Sequence, residues 1–255
     1  MGHPLELMIV SAAAIAFRLA GAFTFMPFFG SVSIPMPIKA VFVLLCTALL
    51  YPHIPIATMA ASPSALALLV LGEMMLGLLM GLCMQFAFEV VQMAGQIVGF
   101  QLSFSLVNVI DPQTNVDTPV LANFMQLATL FLFLQLNVHH WILRAIQKSF
   151  ARVPPGTVSF SVEQLHALFR AAEGMWVAGM QLAAPLVLAT MVIDVTVGFV
   201  SKAAPQIPAL FLSIPLKTLM GFAVLAMAMG LWPGFFEKQF SHALDWSTRM
   251  LELAK

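Results

Sequence analysis

Charge is what this chain of 255 residues has least of. Asp, Glu, Lys and Arg make up 9% of it against 61% apolar residues, and 11 basic side chains balance 11 acidic ones. A net charge of zero gives no reason to expect nucleic acid or an anionic surface as a partner. Cysteine is nearly absent. Cys46 and Cys83 are the only two; they form no disulfide or zinc-ligand pattern and, lying in apolar runs, read as buried free thiols. Enzyme signatures are missing as well: no GxSxG, no P-loop, no HExxH, and no serine, histidine and acid set on an evident scaffold. No catalytic, cofactor-binding or metal-binding residue is therefore assigned, and no cofactor is expected. His139-His140-Trp141 is the one histidine cluster. Adjacent side chains do not share a helix face, so the pair suits an interfacial cap beside Trp141 better than a metal.

What is present is apolar length. The mean hydropathy of +0.97 excludes an ordinary soluble domain. A spanning helix needs roughly 20 mainly apolar residues. Six blocks reach or approach that, at about 5–29, 38–58, 64–93, 119–143, 174–200 and 209–236. The expected fold class is all-α: a polytopic membrane protein of about six long apolar helices arranged as hairpins, forming one domain over 1–255. Residues 144–173 form a polar loop, and 237–255 an amphipathic tail at the interface. The first block lacks a basic leader and carries Arg18 in its middle, so no cleavable signal peptide is expected. With six single spans, the excess of Lys and Arg in 144–173 and 237–255 places both termini in the cytoplasm.

Punctuation is clear in places. Pro27, Gly30, Pro35 and Pro37 forbid a helix through the first connection. Pro154-Pro155-Gly156 is a turn. Ser161 followed by Gln164 fits a capping box that opens a short amphipathic helix. The third block runs on toward Val107, roughly 60 Å as one helix. It either breaks near Gly95 and Gly99 or projects beyond the bilayer. Gly77 with Gly81, and Gly95 with Gly99, are four-residue spacings that let another backbone approach. Most of Met74, Met75, Met80, Met84 and Met93 are packing, and some can seal a deformable contact.

The informative charges are those inside apolar blocks: Arg18, Lys39, Glu73, Glu89, Asp111, Asp194, Lys202 and Lys217. A charge in hydrocarbon costs about 2.5–3.5 kcal/mol or more, so each faces a partner, a cavity or a water path. Arg18, Lys39, Glu73, Glu89, Asp194, Lys202 and Lys217 are read as buried or intersubunit charges. For Asp194 and Lys217 a structural pair, within or between subunits, is the simpler reading; a proton relay is the alternative. The stretch 101–115 mixes polar and large apolar groups without helical or strand period. Phe104, Val107, Val109 and Ile110 are poor surface residues, and irregular backbone at membrane depth must be buried in protein or line water. A loop folded into a pore or cavity is favoured over a surface loop.

Several motifs in this order resemble the FliR family, the flagellar member of the type III export-apparatus proteins, whose injectisome counterpart is called SctT. They are Arg18; Pro27-x-x-Gly30 with Pro35 and Lys39; Gly72-Glu73 with Gly77 and Gly81; Gly95-x-x-x-Gly99-x-Gln101; Ile110-Asp111-Pro112; Asn137-x-His139; and Ala203-Ala204-Pro205-Gln206 with Pro215-Leu216-Lys217. Val138, Pro208 and Ser213 depart from the family's usual pattern and bear on local turns. The resemblance implies a subunit of an export gate in the bacterial inner membrane, at the flagellar basal body. Its partners would be FliP-like and FliQ-like subunits with FlhB and FlhA, and its cargo unfolded flagellar proteins. It implies that the loop of Gln101, Phe104, Val107, Asn108, Ile110, Asp111 and Pro112 helps plug a channel and restrict leakage. The rivals are an injectisome homologue for effector secretion and a secondary transporter with Asp194 or Glu73 in a proton path. No internal inverted repeat supports the transporter.

Overall fold

A computed structural model describes residues 4–27, 29–30, 34–54, 63–104 and 120–254. Among these residues every regular element is helical: α1 (Pro4–Phe25), α2 (Met36–Leu50), a 3-10 turn (Tyr51–His53), α3 (Pro63–Gln101), α4 (Val120–Gln135), α5 (Val138–Arg152), α6 (Val162–Ala203), α7 (Ala209–Met229) and α8 (Trp232–Glu252). Among the described residues five helices are long and apolar enough to cross a membrane, and six spans result if α4 and α5 form one broken span. The protein is an all-α polytopic membrane protein.

Proline sets several boundaries. Helix α1 stops at Phe25, two residues before Pro27, and α2 begins behind Pro35 with Pro37 in its first turn. A proline there loses nothing, because the first N–H groups of a helix have no intrahelical acceptor. Pro208 likewise precedes α7. Pro154-Pro155-Gly156 makes a tight turn closed by Thr157 N–H donating to the Pro154 carbonyl at 3.1 Å, with Gly156 at φ 85°. That positive φ suits glycine at the third position of such a turn.

Helix ends differ from the limits of the apolar blocks. Helix α3 passes through Gly95 and Gly99 unbroken, for 39 residues. Glycine costs only about 1 kcal/mol against alanine, too little to interrupt a continuous hydrogen-bond ladder. The fifth block and the short amphipathic helix are one element, the 42-residue α6, with Pro185 inside it. In apolar surroundings an unwound turn would leave several backbone groups unpaired, so the helix persists past one proline. Its start is the expected capping box. Ser161 N–H donates to Gln164 Oε1 at 3.0 Å, and Gln164 N–H donates to Ser161 Oγ at 3.3 Å.

The fourth block is not one helix. It stops at Gln135 and restarts at Val138, around Asn137 in a left-handed conformation with φ 55°. Asparagine tolerates that region better than most residues. Val138 then begins α5 fully buried, and α5 runs on to Arg152, into the first part of what sequence marks as a polar loop. Apolar runs report where the chain turns polar, not where its hydrogen-bond ladder ends.

The chain divides into two compact units. The first comprises Met1–Ala87, Phe133–Glu173 and Gln239–Lys255, the second Phe88–Leu132 and Gly174–Lys238. In the first, Val10 and Ala14 of α1 pack on Leu69 of α3, and Cys83 packs with Ala167 and Met250. Helix α5 buries Val138, Ile142, Ile146 and Phe150 on one face. In the second unit, Gly95 of α3 lies against the Ala122 backbone of α4, and Gly179 of α6 against Val90 and Met93. Cover is uneven among the helices. Half of the apolar window of α1 is buried, but only 6% of that of α2 and 11% of that of α7. Those two helices need lipid or other chains around them.

Candidate functional site

Arg18 organises the first unit. Its side chain and that of Glu73 are wholly buried, with Nε 2.6 Å from Glu73 Oε2. Nη1 donates to Ser149 Oγ and Nη2 to the Val153 carbonyl, each at 3.0 Å. The guanidinium carbon lies 4.0 Å above the Phe150 ring. The second oxygen of Glu73 accepts from Gly156 N–H at 3.0 Å. A planar fork with fixed donor directions suits this multi-partner site; a lysine would supply one mobile point charge. One ion pair thus ties α1, α3, α5 and the Pro154–Gly156 turn together. Sequence leaves the partner of Arg18 open; it marks the Pro154-Pro155-Gly156 turn, but assigns none of Ser149, Phe150, Val153 or Gly156 to the surroundings of Arg18.

The pair sits where α1 and α3 are in backbone contact. A methyl added to Gly77 would fall on the Arg18 carbonyl, one on Gly81 on the Ala22 carbonyl, and one on Gly21 on the Met74 carbonyl. Glycine at these positions lets the two helices close until Arg18 and Glu73 meet directly, both fully buried. Gly99 differs: a methyl there would meet only Leu121 Cβ at 3.9 Å.

In the second unit the C-terminus of α3 is held firmly. Phe104 N–H donates to the Gly99 carbonyl and Ser103 N–H to that of Phe100, both at 3.1 Å, with Ser103 left-handed at φ 64°. That is a Schellman cap built on serine rather than glycine. Leu102 is buried against Gly221 of α7, and Thr190 of α6 lies 3.5 Å from Gln101 Oε1. Phe104 meets Phe222 edge to face at 6.1 Å between centroids. Residues 101–104 are therefore held in place against α6 and α7. Val107, Asn108, Ile110, Asp111 and Pro112 lie outside the described residues.

Lys217 Nζ of α7 is 2.6 Å from Asp194 Oδ1 of α6. This pair is not sealed, since Asp194 remains 49% exposed and Lys217 14%. The same two helices carry exposed apolar residues, Met191, Val195 and Phe199 on α6 and Leu216, Leu219 and Met220 on α7; of these, Met191 and Met220 lie three residues from the pair on its own side of each helix. Glu89 is half-buried on α3. Lys39 is half-buried and lines a groove of about 510 Å³ between α1 and α2, with Phe17, Phe23, Thr24 and Val43. Lys202 is exposed in the last turn of α6, where a cation complements the helix dipole.

Comparison with known proteins agrees with these features. Residues 9–243 match the family described as bacterial export proteins, family 1. The chain is 28% identical over 219 residues to the flagellar biosynthetic protein FliR of Escherichia coli (strain K12), covering 86% of this chain and 84% of that one. It is 27% identical over 239 residues to the FliR of Bacillus subtilis (strain 168), covering 92% of each. It is also 28% identical over 262 residues to the surface presentation of antigens protein SpaR of Salmonella typhimurium, covering 93% of this chain and 96% of that one. Matched along nearly its whole length, the chain belongs to the bacterial export proteins, family 1.

Proposed function

We propose that this chain is a channel-forming, non-enzymatic subunit of the flagellar type III protein export gate. It would pass unfolded flagellar proteins across the bacterial inner membrane at the flagellar basal body. The observation that carries the reading, within an export family, is the uncovered apolar surface of α6 and α7 with an incompletely buried ion pair on those two helices; α2 of the first unit is likewise largely uncovered. Lipid tails would cover the apolar part, but a half-exposed Asp194–Lys217 pair in hydrocarbon is costly. Neighbouring subunits with polar groups opposite the pair cover both. FliP-like and FliQ-like chains would supply that cover, with FlhB and FlhA nearby.

In this reading Gln101 and Phe104 stand at the root of a loop that restricts leakage. Apolar side chains close the path and arriving cargo displaces them. The capped end of α3 supports the role, because a plug needs a rigid base. The deciding experiment is a mild-detergent pull-down of the tagged chain, co-expressed with its neighbouring genes and weighed as an intact complex. A discrete complex with FliP-like and FliQ-like chains is expected. A stable lone protein would overturn the reading and favour proton-coupled transport through Asp194. Shortening the loop within 105–117 should raise resting ion leakage through the assembled gate, and unchanged leakage removes the plug role. The likeness to SpaR favours a second reading, the same gate serving an injectisome and its effectors, which the identity of the neighbouring genes separates.

A further inference from the structure

Helix α5 has a second face that the export reading does not use. Its buried face is set by Val138, Ile142, Ile146 and Phe150. On the opposite side Arg144, Lys148 and Arg152 follow one another at four-residue intervals, all exposed. They line a cleft of about 290 Å³ with Trp141 on the same helix and Leu244 and Thr248 on α8. None of the residues lining this cleft is acidic. The three cations make no ion pair among the described residues. Three like charges at four-residue spacing on one helix face repel each other, and a concentrated negative charge opposite them would relieve that repulsion.

We infer that this cleft binds the headgroup of an anionic glycerophospholipid. The covalent chain puts it in the right place. The apolar helix α4 ends at Gln135, and Trp141 follows within two helical turns. An indole there sits at the level of the headgroups, where its ring is apolar and its N–H wet. A phosphodiester offers two free oxygens to the Arg144 and Arg152 guanidinium forks, with Lys148 between them as a point charge. Thr248 can hydrogen-bond a headgroup hydroxyl, and Leu244 with the face of Trp141 gives the first acyl carbons an apolar wall. A basic pocket between helices at the membrane surface is a general means of holding such lipids. The site would fix the depth of α5, and through Ser149 and Val153 the depth of the Arg18 pair.

The test is native mass spectrometry of the full chain in detergent, with any co-purifying subunits, titrated with dioleoylphosphatidylglycerol or dioleoylphosphatidylcholine. The wild type should retain phosphatidylglycerol about tenfold more tightly than phosphatidylcholine, because each nearby cation contributes up to roughly fivefold. R144Q/K148Q/R152Q should lose that preference, whereas R170Q/K238Q, two exposed cations outside the cleft, should keep it. Should the triple variant fail to fold, raising the salt on the wild type from 50 to 500 mM must still weaken phosphatidylglycerol retention severalfold. Equal retention of both lipids, an unchanged preference in a folded triple variant, or salt-independent binding overturns the proposal. So does complete displacement of the lipid by 10 mM inorganic phosphate, which would mark a free-anion site.

Discussion

Replacing Arg18 by methionine should be among the most damaging single changes available in the first unit. It removes the 2.6 Å contact to Glu73 and the 3.0 Å bonds to Ser149 and Val153. The carboxylate of Glu73 then stays wholly buried with Gly156 N–H as its remaining donor among the described residues. Breaking a buried pair from one side costs about 3–5 kcal/mol. Glu73→Met should cost a similar amount, because the guanidinium keeps only neutral partners. The double variant leaves no buried charge, so its cost should fall well below the sum of the two. For a chain of this size each kcal/mol moves the midpoint by roughly 2–4 °C, which puts each single variant about 6–20 °C lower. Cys46 and Cys83 are both buried, so a thiol-reactive fluorophore reports melting directly in detergent. Single-variant shifts under about 3 °C, or additive costs in the double variant, would refute the coupling argued here.

Four further outcomes follow from the same geometry. Gly77→Ala should lower the midpoint, because the methyl lands on the Arg18 carbonyl, whereas Gly99→Ala should leave it unchanged or raise it by up to about 1 kcal/mol of helix propensity; thiol-dye melts of both test this. Ser103→Gly should stabilise by about 1 kcal/mol by relieving a left-handed serine in the α3 cap, and a lower midpoint would mean the hydroxyl has a role of its own. Gln164→Ala should cost about 1 kcal/mol and expose the start of α6 to hydrogen exchange, since one side of the capping box is lost. Asp194→Asn should cost the isolated chain under about 1 kcal/mol, because the pair is half-exposed and screened. The same change should reduce recovery of the intact complex severalfold, and undiminished recovery would remove the pair from any interface.

Fold class is legible in composition because a membrane helix needs little beyond apolar length. Proline and the Ser161–Gln164 box locate several ends for equally local reasons. The rest depends on what packs where. Nothing near Gly95 tells a reader that α3 continues, since its survival depends on a ladder tens of residues long. The break at Asn137 is weakly marked, because one left-handed residue is enough to interrupt an otherwise apolar run. Arg18 and Glu73 stand out as charges in apolar blocks, but their pairing spans 55 positions and needs glycine on both helices. The basic cleft hides behind a net charge of zero. Its cations show a four-residue period that becomes a site only when α8 supplies the other wall.

The two ion pairs explain why sequence treats as alike what the fold separates. Both join one acidic and one basic residue from long apolar helices, and both close to 2.6 Å. Around Arg18 every neighbouring surface belongs to the same chain, and both side chains of the pair are wholly buried. A pair so enclosed adds little net stability, because desolvation offsets attraction; what it does is make any other register of α1 on α3 expensive. Asp194 and Lys217 have lost part of their water without gaining an enclosing wall. Apolar side chains flank them, so neither hydrocarbon nor water suits the whole surface. That mismatch is tolerable in a chain that completes its surroundings by assembly, where polar groups of a neighbour close the pair while apolar flanks bury against it. The sealed pair sets one subunit's own packing. Under the proposed function, the unsealed pair marks the face where the next subunit is expected.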